Sequence, residues 1–195
     1  MDEKRKRFEA MMIPHLDAAY SLARWLARNE SDADDIVQDA YLRAFRGFDG
    51  FRGGDARPWL FAILRNCHRT RWAKARAGQE VPLAEEHFGG AEDDIVSTAA
   101  PLVDEADDPE AALMRMQDAS LLTGLVRGLP EEFREVLVLR EFEDLSYRDI
   151  ATVIGSPIGT VMSRLSRGRS LLRDRWLAAT EAGKATVRKA DDGVR

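Results

Sequence analysis

Between residues 8 and 77 apolar side chains recur every three or four positions, the period of an amphipathic helix. Leu16, Ala19, Tyr20, Ala23 and Leu26 form one such stripe in HLDAAYSLARWLAR, and Ile36, Val37, Ala40, Tyr41, Ala44 and Phe45 form the next. Ser31 and Asp32 are placed to start that second helix. GFDGFRGGDARP then interrupts the pattern as a glycine-rich loop, and a third helix is expected from Pro58, whose fixed φ suits a first turn. Over 78–109 the periodicity lapses into acids, small residues and prolines, a composition too poor in apolar surface to fold alone, so a flexible acidic linker is expected. Helical periodicity returns at Glu110 and continues to about Ala179, and a polar tail over 180–195 is expected to be disordered. Convincing two-residue alternation is absent. The expected class is all-α, with two small helical domains over 8–77 and 110–179.

Composition narrows the possibilities. Of the 195 residues 45% are hydrophobic and 32% charged, enough apolar material for compact helical cores. No apolar run is long enough to cross a bilayer, and the N-terminus MDEKRKRFEAMM lacks the apolar stretch of a secretory signal. One cysteine, Cys67, excludes an internal disulfide and a CxxC metal site, and it reads as core filler beside Leu60 and Leu64. A cytoplasmic protein without membrane contact of its own is expected.

The net charge of −5 is unevenly spread. Residues 78–118 hold twelve acids against one arginine, a net −11, which leaves +6 on the rest of the chain. Arg57, Arg65, Arg69, Arg71, Lys74 and Arg76 follow one another with no acid between them. Arg164, Arg167, Arg169, Arg173 and Arg175 are opposed only by Asp174. Two basic stretches flanking an acidic spacer imply two contacts with a polyanion. Ordinary solvated helix faces mix their signs more evenly.

The stretch LSYRDIATVIGSPIGTVMSRLSRGR offers a choice between a phosphate loop and a helix-turn-helix. A phosphate loop needs GxxxxGK[ST] after a strand; here only Ser-Pro-Ile separates Gly155 from Gly159 and no lysine follows. The helical reading accounts for every feature. Ser146 is a good N-cap with Asp149 three residues on, Ile150, Ala151 and Ile154 face inward, and Gly155 suits a left-handed stop. Ser156 and Pro157 then open the next helix. Val161, Leu165, Gly168 and Leu172 form its packing face, with Thr160, Ser163, Ser166, Arg167 and Ser170 opposite. Hydroxyls and an arginine on a free helix face suit a major groove.

The block LPEEFREVLVLREFEDLSYRDIATVIGSPIGTVMSRLSRGRSLLR resembles the −35-binding domain of extracytoplasmic-function (ECF) sigma factors, group IV of the bacterial sigma-70 family. DADDIVQDAYLRAFRGFDGFRGGDARPWLFAILRNCHRTR resembles the domain of that family which binds core RNA polymerase and melts the −10 element. The resemblance implies an alternative sigma factor that directs promoter-specific initiation and performs no catalysis. It implies core RNA polymerase (the coiled coil of the largest subunit and the flap), promoter DNA and an inhibitory anti-sigma factor as partners, with no cofactor and no metal. By this resemblance Asp35, Gln38, Asp39 and Arg43 grip the polymerase. Phe51, Arg52, Gly53, Gly54, Asp55 and Asn66 hold an unstacked −10 base, while Arg65, Arg69 and Arg71 track phosphates. Ser156, Thr160, Ser163, Arg164, Ser166 and Arg167 meet the −35 element. Met162 stands where some relatives carry an arginine.

Three other classes fit less well. A decoy that mimics a sigma factor would lose its basic DNA-contacting residues, and this chain keeps them. A simple activator has no need of the acidic helix around Asp35. An enzyme would need a nucleophile–base pair or a metal cluster, and His15, His68 and His87 are scattered.

Overall fold

The structure is a computed structural model and describes residues 2–27, 29–77 and 109–192. Among the described residues there is no strand. Four helices, α1 (Asp2–Met12), α2 (Leu16–Leu26), α3 (Glu30–Gly47) and α4 (Ala56–Ala77), precede α5 (Pro109–Arg127), α6 (Glu131–Leu137), α7 (Tyr147–Ile154) and α8 (Ile158–Asp192). Short 3-10 turns join α1 to α2 and follow α3, and a π-helical turn, Val138–Phe142, continues α6. The expected linker falls outside the described residues apart from Pro109, which begins α5.

The described residues divide into two compact units, and the division is not sequential. The first holds α1 to α4 together with Val138–Val161; the second holds α5, α6 and α8 from Met162 onward. In the first unit α4 packs against α1, α2, α3 and α7. Leu60, Phe61, Leu64 and Cys67 of α4 are fully buried, as are Leu22 and Ala23 of α2 and Ala40 and Ala44 of α3. Aromatic rings close the end of this core, where Phe8 makes edge contacts with Tyr41, Phe45 and Phe48 at centroid distances of 6.3, 5.2 and 5.3 Å. Tyr41 donates its hydroxyl hydrogen to the Met12 carbonyl at 2.9 Å, tying α3 to the end of α1. Burial pushes that phenol up to about 12, with the nearby Asp17 charge adding to the effect.

Several helix limits depart from the sequence reading. Leu22 is buried where Leu16, counted on the inner stripe, is 39% exposed. The cap of α3 is Asn29, whose side-chain oxygen accepts from the Asp32 amide at 2.8 Å, so the helix starts before Ser31. Helix α4 starts at Ala56 rather than Pro58, because Asp55 accepts from the Arg57 amide at 2.9 Å and caps the turn. The tail expected to be structureless from residue 180 is helical to Asp192. Residues 180–192 hold three alanines and two lysines, contain no proline, and extend a helix that already exists, so no new nucleus is needed.

In the second unit the close approach is at Gly168. A Cβ built there would meet the Leu137 side chain at 3.0 Å and Phe133 Cβ at 3.3 Å, so α8 and α6 touch through this residue. Arg175 donates to the Gly128 carbonyl at 2.5 Å and Arg134 to the Arg127 carbonyl at 2.7 Å, satisfying the carbonyls that end α5. Replacing Gly168 with valine is expected to destabilise the fold by about 2 kcal/mol through overpacking. Gly124→Ala, on the exposed interior of α5 with open space around the new methyl, is expected to stabilise it by about 0.4–1 kcal/mol. Urea unfolding of both variants measures the contrast; a Gly168→Val protein as stable as the parent would refute the close approach.

Candidate nucleic-acid interface

The helix-turn-helix is built as its caps dictate. Ser146 Oγ accepts from the Asp149 amide at 3.2 Å and donates to Asp149 Oδ2 at 2.5 Å, which starts α7. Gly155 takes φ 61° and ψ 39°, the left-handed conformation that ends it, and the Ser156 amide donates back to Ala151 O at 3.1 Å. The Pro157 carbonyl accepts from Thr160 and Val161 at 2.9 and 3.3 Å, so Pro157 precedes the first turn of α8 rather than occupying it. Val161, Leu165 and Gly168 are buried. Ser163, Ser166 and Arg167 are exposed, while Ser156 and Thr160 are half-buried. Arg164 differs from the other candidates: it is 26% exposed and lies 3.6 Å from Glu132 of α6.

The loop before α4 is shaped by two glycines. Gly53 and Gly54 have φ of 86° and 94°, backbone that side chains rarely adopt, and the space beside both is open. Arg52 and Asp55 flank them, exposed. Phe51 is half-buried, stacked on Phe48 at 6.1 Å and tilted against Trp59 at 5.1 Å. Asn66 and Arg69 are exposed on α4 and Arg65 is half-buried. Phe61 is completely buried, so it has no surface on which a base could stack.

Arg71 is paired across the fold. Its guanidinium donates to Asp35 at 2.8 Å and lies 3.7 Å from Asp32, bridging α4 to α3. Two candidates assigned to different partners, Asp35 and Arg71, are thus one ion pair. Gln38 and Arg43 are exposed on α3 and Asp39 is half-buried. Leu42, which the sequence reading passed over, is 49% exposed among them. Its signal was available: an apolar residue on the polar side of an amphipathic helix. Burial pushes the Cys67 thiol up, with Arg43, Asp39 and Arg71 close enough to act on it, and no group of metal-ligating side chains exists among the described residues.

At the other end of α4 Arg57 makes an ion pair with Glu143, a residue 86 positions later whose side chain is 3% exposed. The guanidinium also sits over the Phe61 ring at 5.3 Å. Beside it Trp25 and Phe142 meet at 4.8 Å. Burial pushes the Glu143 carboxyl above the ordinary glutamate value, while a hydrogen bond with Ser21 and the Arg57 charge pull it back.

A capped helix-turn-helix and a separate basic helix behind a glycine loop define a protein of the helix-turn-helix class with a second basic surface. Comparison with known proteins narrows this. Residues 11–78 match the sigma-70 region 2 family and residues 120–172 match sigma-70 region 4. The chain is 30% identical over 170 residues to the RNA polymerase sigma-H factor of Pseudomonas aeruginosa, covering 86% of this chain and 85% of that protein. It is 32% identical over 157 residues to the ECF RNA polymerase sigma-E factor of Haemophilus influenzae, covering 79% and 78%. The solved structure of the sigma factor RpoE in complex with the anti-sigma factor NepR from Bartonella quintana is similar at TM-score 0.62 and 25% identity, covering 89% of this chain and 98% of that one. CnrH in complex with the cytosolic domain of CnrY follows at TM-score 0.58 and 25% identity, covering 89% and 90%. The chain belongs to the ECF family of RNA polymerase sigma factors, which direct promoter-specific transcription initiation.

The elevated Glu143 value has a definite sign. Folded protein retains the proton at pH values where the unfolded chain has lost it, so this group's contribution to stability falls as pH rises from the ordinary glutamate range through the elevated value, and is level above it. Glu143→Gln is expected to remove that fall, visible as the difference between parent and variant melting curves as pH rises above the ordinary glutamate range. Glu143→Ala, which leaves Arg57 without its partner, is expected to cost roughly 2–3 kcal/mol at neutral pH, less than a fully buried pair because Arg57 retains some exposure. A pH difference curve that stays flat would refute the assignment.

Proposed function

We propose that residues 8–77 of this cytoplasmic chain bind core polymerase and open the −10 element, that residues 110–179 read the −35 element, and that residues 78–109 act as the tether between them. The observation that carries this reading is the exposed polar face of α8, where Ser163, Ser166 and Arg167 stand opposite the buried Val161 and Leu165. Arginine can make paired hydrogen bonds to guanine and the hydroxyls can reach bases or phosphates. On α3, Gln38, Asp39 and Arg43 surround Leu42, an apolar centre with a charged rim of the kind that anchors protein partners. Asp35 belongs to the same face but is already paired with Arg71, so the polymerase has to compete for it. Gly53 and Gly54 let backbone approach an extruded base, which Arg52, Asp55 and Asn66 hold by its edges. Arg65 and Arg69 follow the phosphates. Holding and melting promoter DNA is the whole task; the chain itself carries out no catalysis.

An anti-sigma factor keeps the chain inactive in this reading. The support is the resemblance to RpoE and CnrH, each solved in complex with such a protein or with a domain of its partner. The inhibitor competes with polymerase for the face running from Asp35 to Arg43.

Transcription from a mixed promoter pool with purified core polymerase tests the central claim, and initiation is expected only when this chain is added. Arg167→Ala is expected to weaken use of one −35 base pair by roughly 1–3 kcal/mol and to leave core binding intact. A uniform loss on every −35 variant would reduce Arg167 to a phosphate contact.

A further inference from the structure

Helix α8 leaves two large apolar side chains uncovered in its first two turns, beside its polar residues. Met162 is 55% exposed and Ile158, one turn earlier, is 41% exposed. Residues four apart are neighbours on a helix, so the two make one short strip. Val161 and Leu165, apolar residues of the same turns, are buried, so the strip is no part of the core stripe. Gly159 beside it is exposed, and a side chain placed there would meet nothing within 4 Å, so a partner can come close to the backbone. Arg167 and Arg173 are exposed on the same stretch of helix.

An occupant of this surface must be anionic at its margins and present a small apolar group between them. Duplex DNA meets both demands: phosphates line the major groove, and the one apolar group on its floor is the C5 methyl of thymine. We propose that Met162, flanked by Ile158, reads a thymine methyl in the −35 element. An unbranched thioether with several rotatable bonds can settle over a methyl group that a stiffer side chain would miss. Where an arginine would select guanine through hydrogen bonds, this methionine selects thymine by covering its methyl. The inference rests on the role proposed above for α8 and adds a base preference to it.

Replacing thymine by uracil removes that methyl and nothing else. Holoenzyme reconstituted from core polymerase and the full chain would be measured on promoters drawn from the selected pool, with each −35 thymine changed to uracil in turn. Burial of one methyl corresponds to a roughly three- to fivefold effect, expected at one position. In Met162→Ala holoenzyme the thymine-to-uracil ratio at that position is expected to fall to about one, with the preferences at other −35 positions retained. Met162→Leu is expected to keep most of the discrimination. Equal thymine-to-uracil ratios for parent and Met162→Ala at every position would overturn the inference, as would a −35 element with no preferred thymine. If −35 base changes have no effect at all on the parent holoenzyme, the role of α8 falls and the inference with it. Base dependence without methyl dependence removes the inference alone.

Discussion

One helix has to satisfy two incompatible demands, and much of the first unit is arranged around it. Helix α4 fills the core with Leu60, Phe61, Leu64 and Cys67, none of which has measurable exposure, while carrying four arginines between Arg57 and Arg71. Helical geometry sorts the charges. Arg65 and Arg69 stand four apart on one side, and Arg57 and Arg71 come round toward the packed neighbours, where each meets a carboxylate. Glu143 serves the first and Asp35 the second. The rotation of α4 that buries Phe61 therefore also brings Arg57 and Arg71 to their carboxylates.

This sorting explains how far the sequence could be read. Apolar stripes on α3 and α8, the Ser146 cap and the Gly155 stop are local, and local patterns survive folding. Arg69 and Arg71 look equivalent in sequence; only the register of α4 against α3 shows that Arg71 meets Asp35. Asp55 looked like a ligand for a base and is also a helix cap, because the same carboxylate geometry suits both. The pairing of Arg57 with Glu143 spans 86 positions and has no signature in either neighbourhood. Leu42 was legible in principle as an apolar residue on a polar face, but a stripe-finding reading passes over residues that lie off the stripe.

The helical stretch that runs from α6 into α7 shows a related conflict between sequence and packing. Val138–Phe142 is π-helical, and the Glu143 amide reaches back to Val138 O at 3.1 Å. An extra residue in the turn rotates the side chains beyond it to a new facing. Leu139 stays buried while Phe142 reaches Trp25 and Glu143 reaches Arg57. The chain then reverses at Asp144, a non-glycine residue with φ 48°, and Arg140 donates to the Leu145 carbonyl at 2.8 Å to secure the bend.

The Arg57–Glu143 pair also changes how ions take part in binding. An exposed arginine that meets a phosphate releases a counterion from the nucleic acid, and that release makes affinity fall with salt. Arg57 already has an anion of its own. Any anion arriving there has to compete with that buried carboxylate, so Arg57 is not a free counter-charge. A count of the arginines on α4 therefore overstates the positive charge that this end of the helix presents to solvent, because one guanidinium is already neutralised inside the protein.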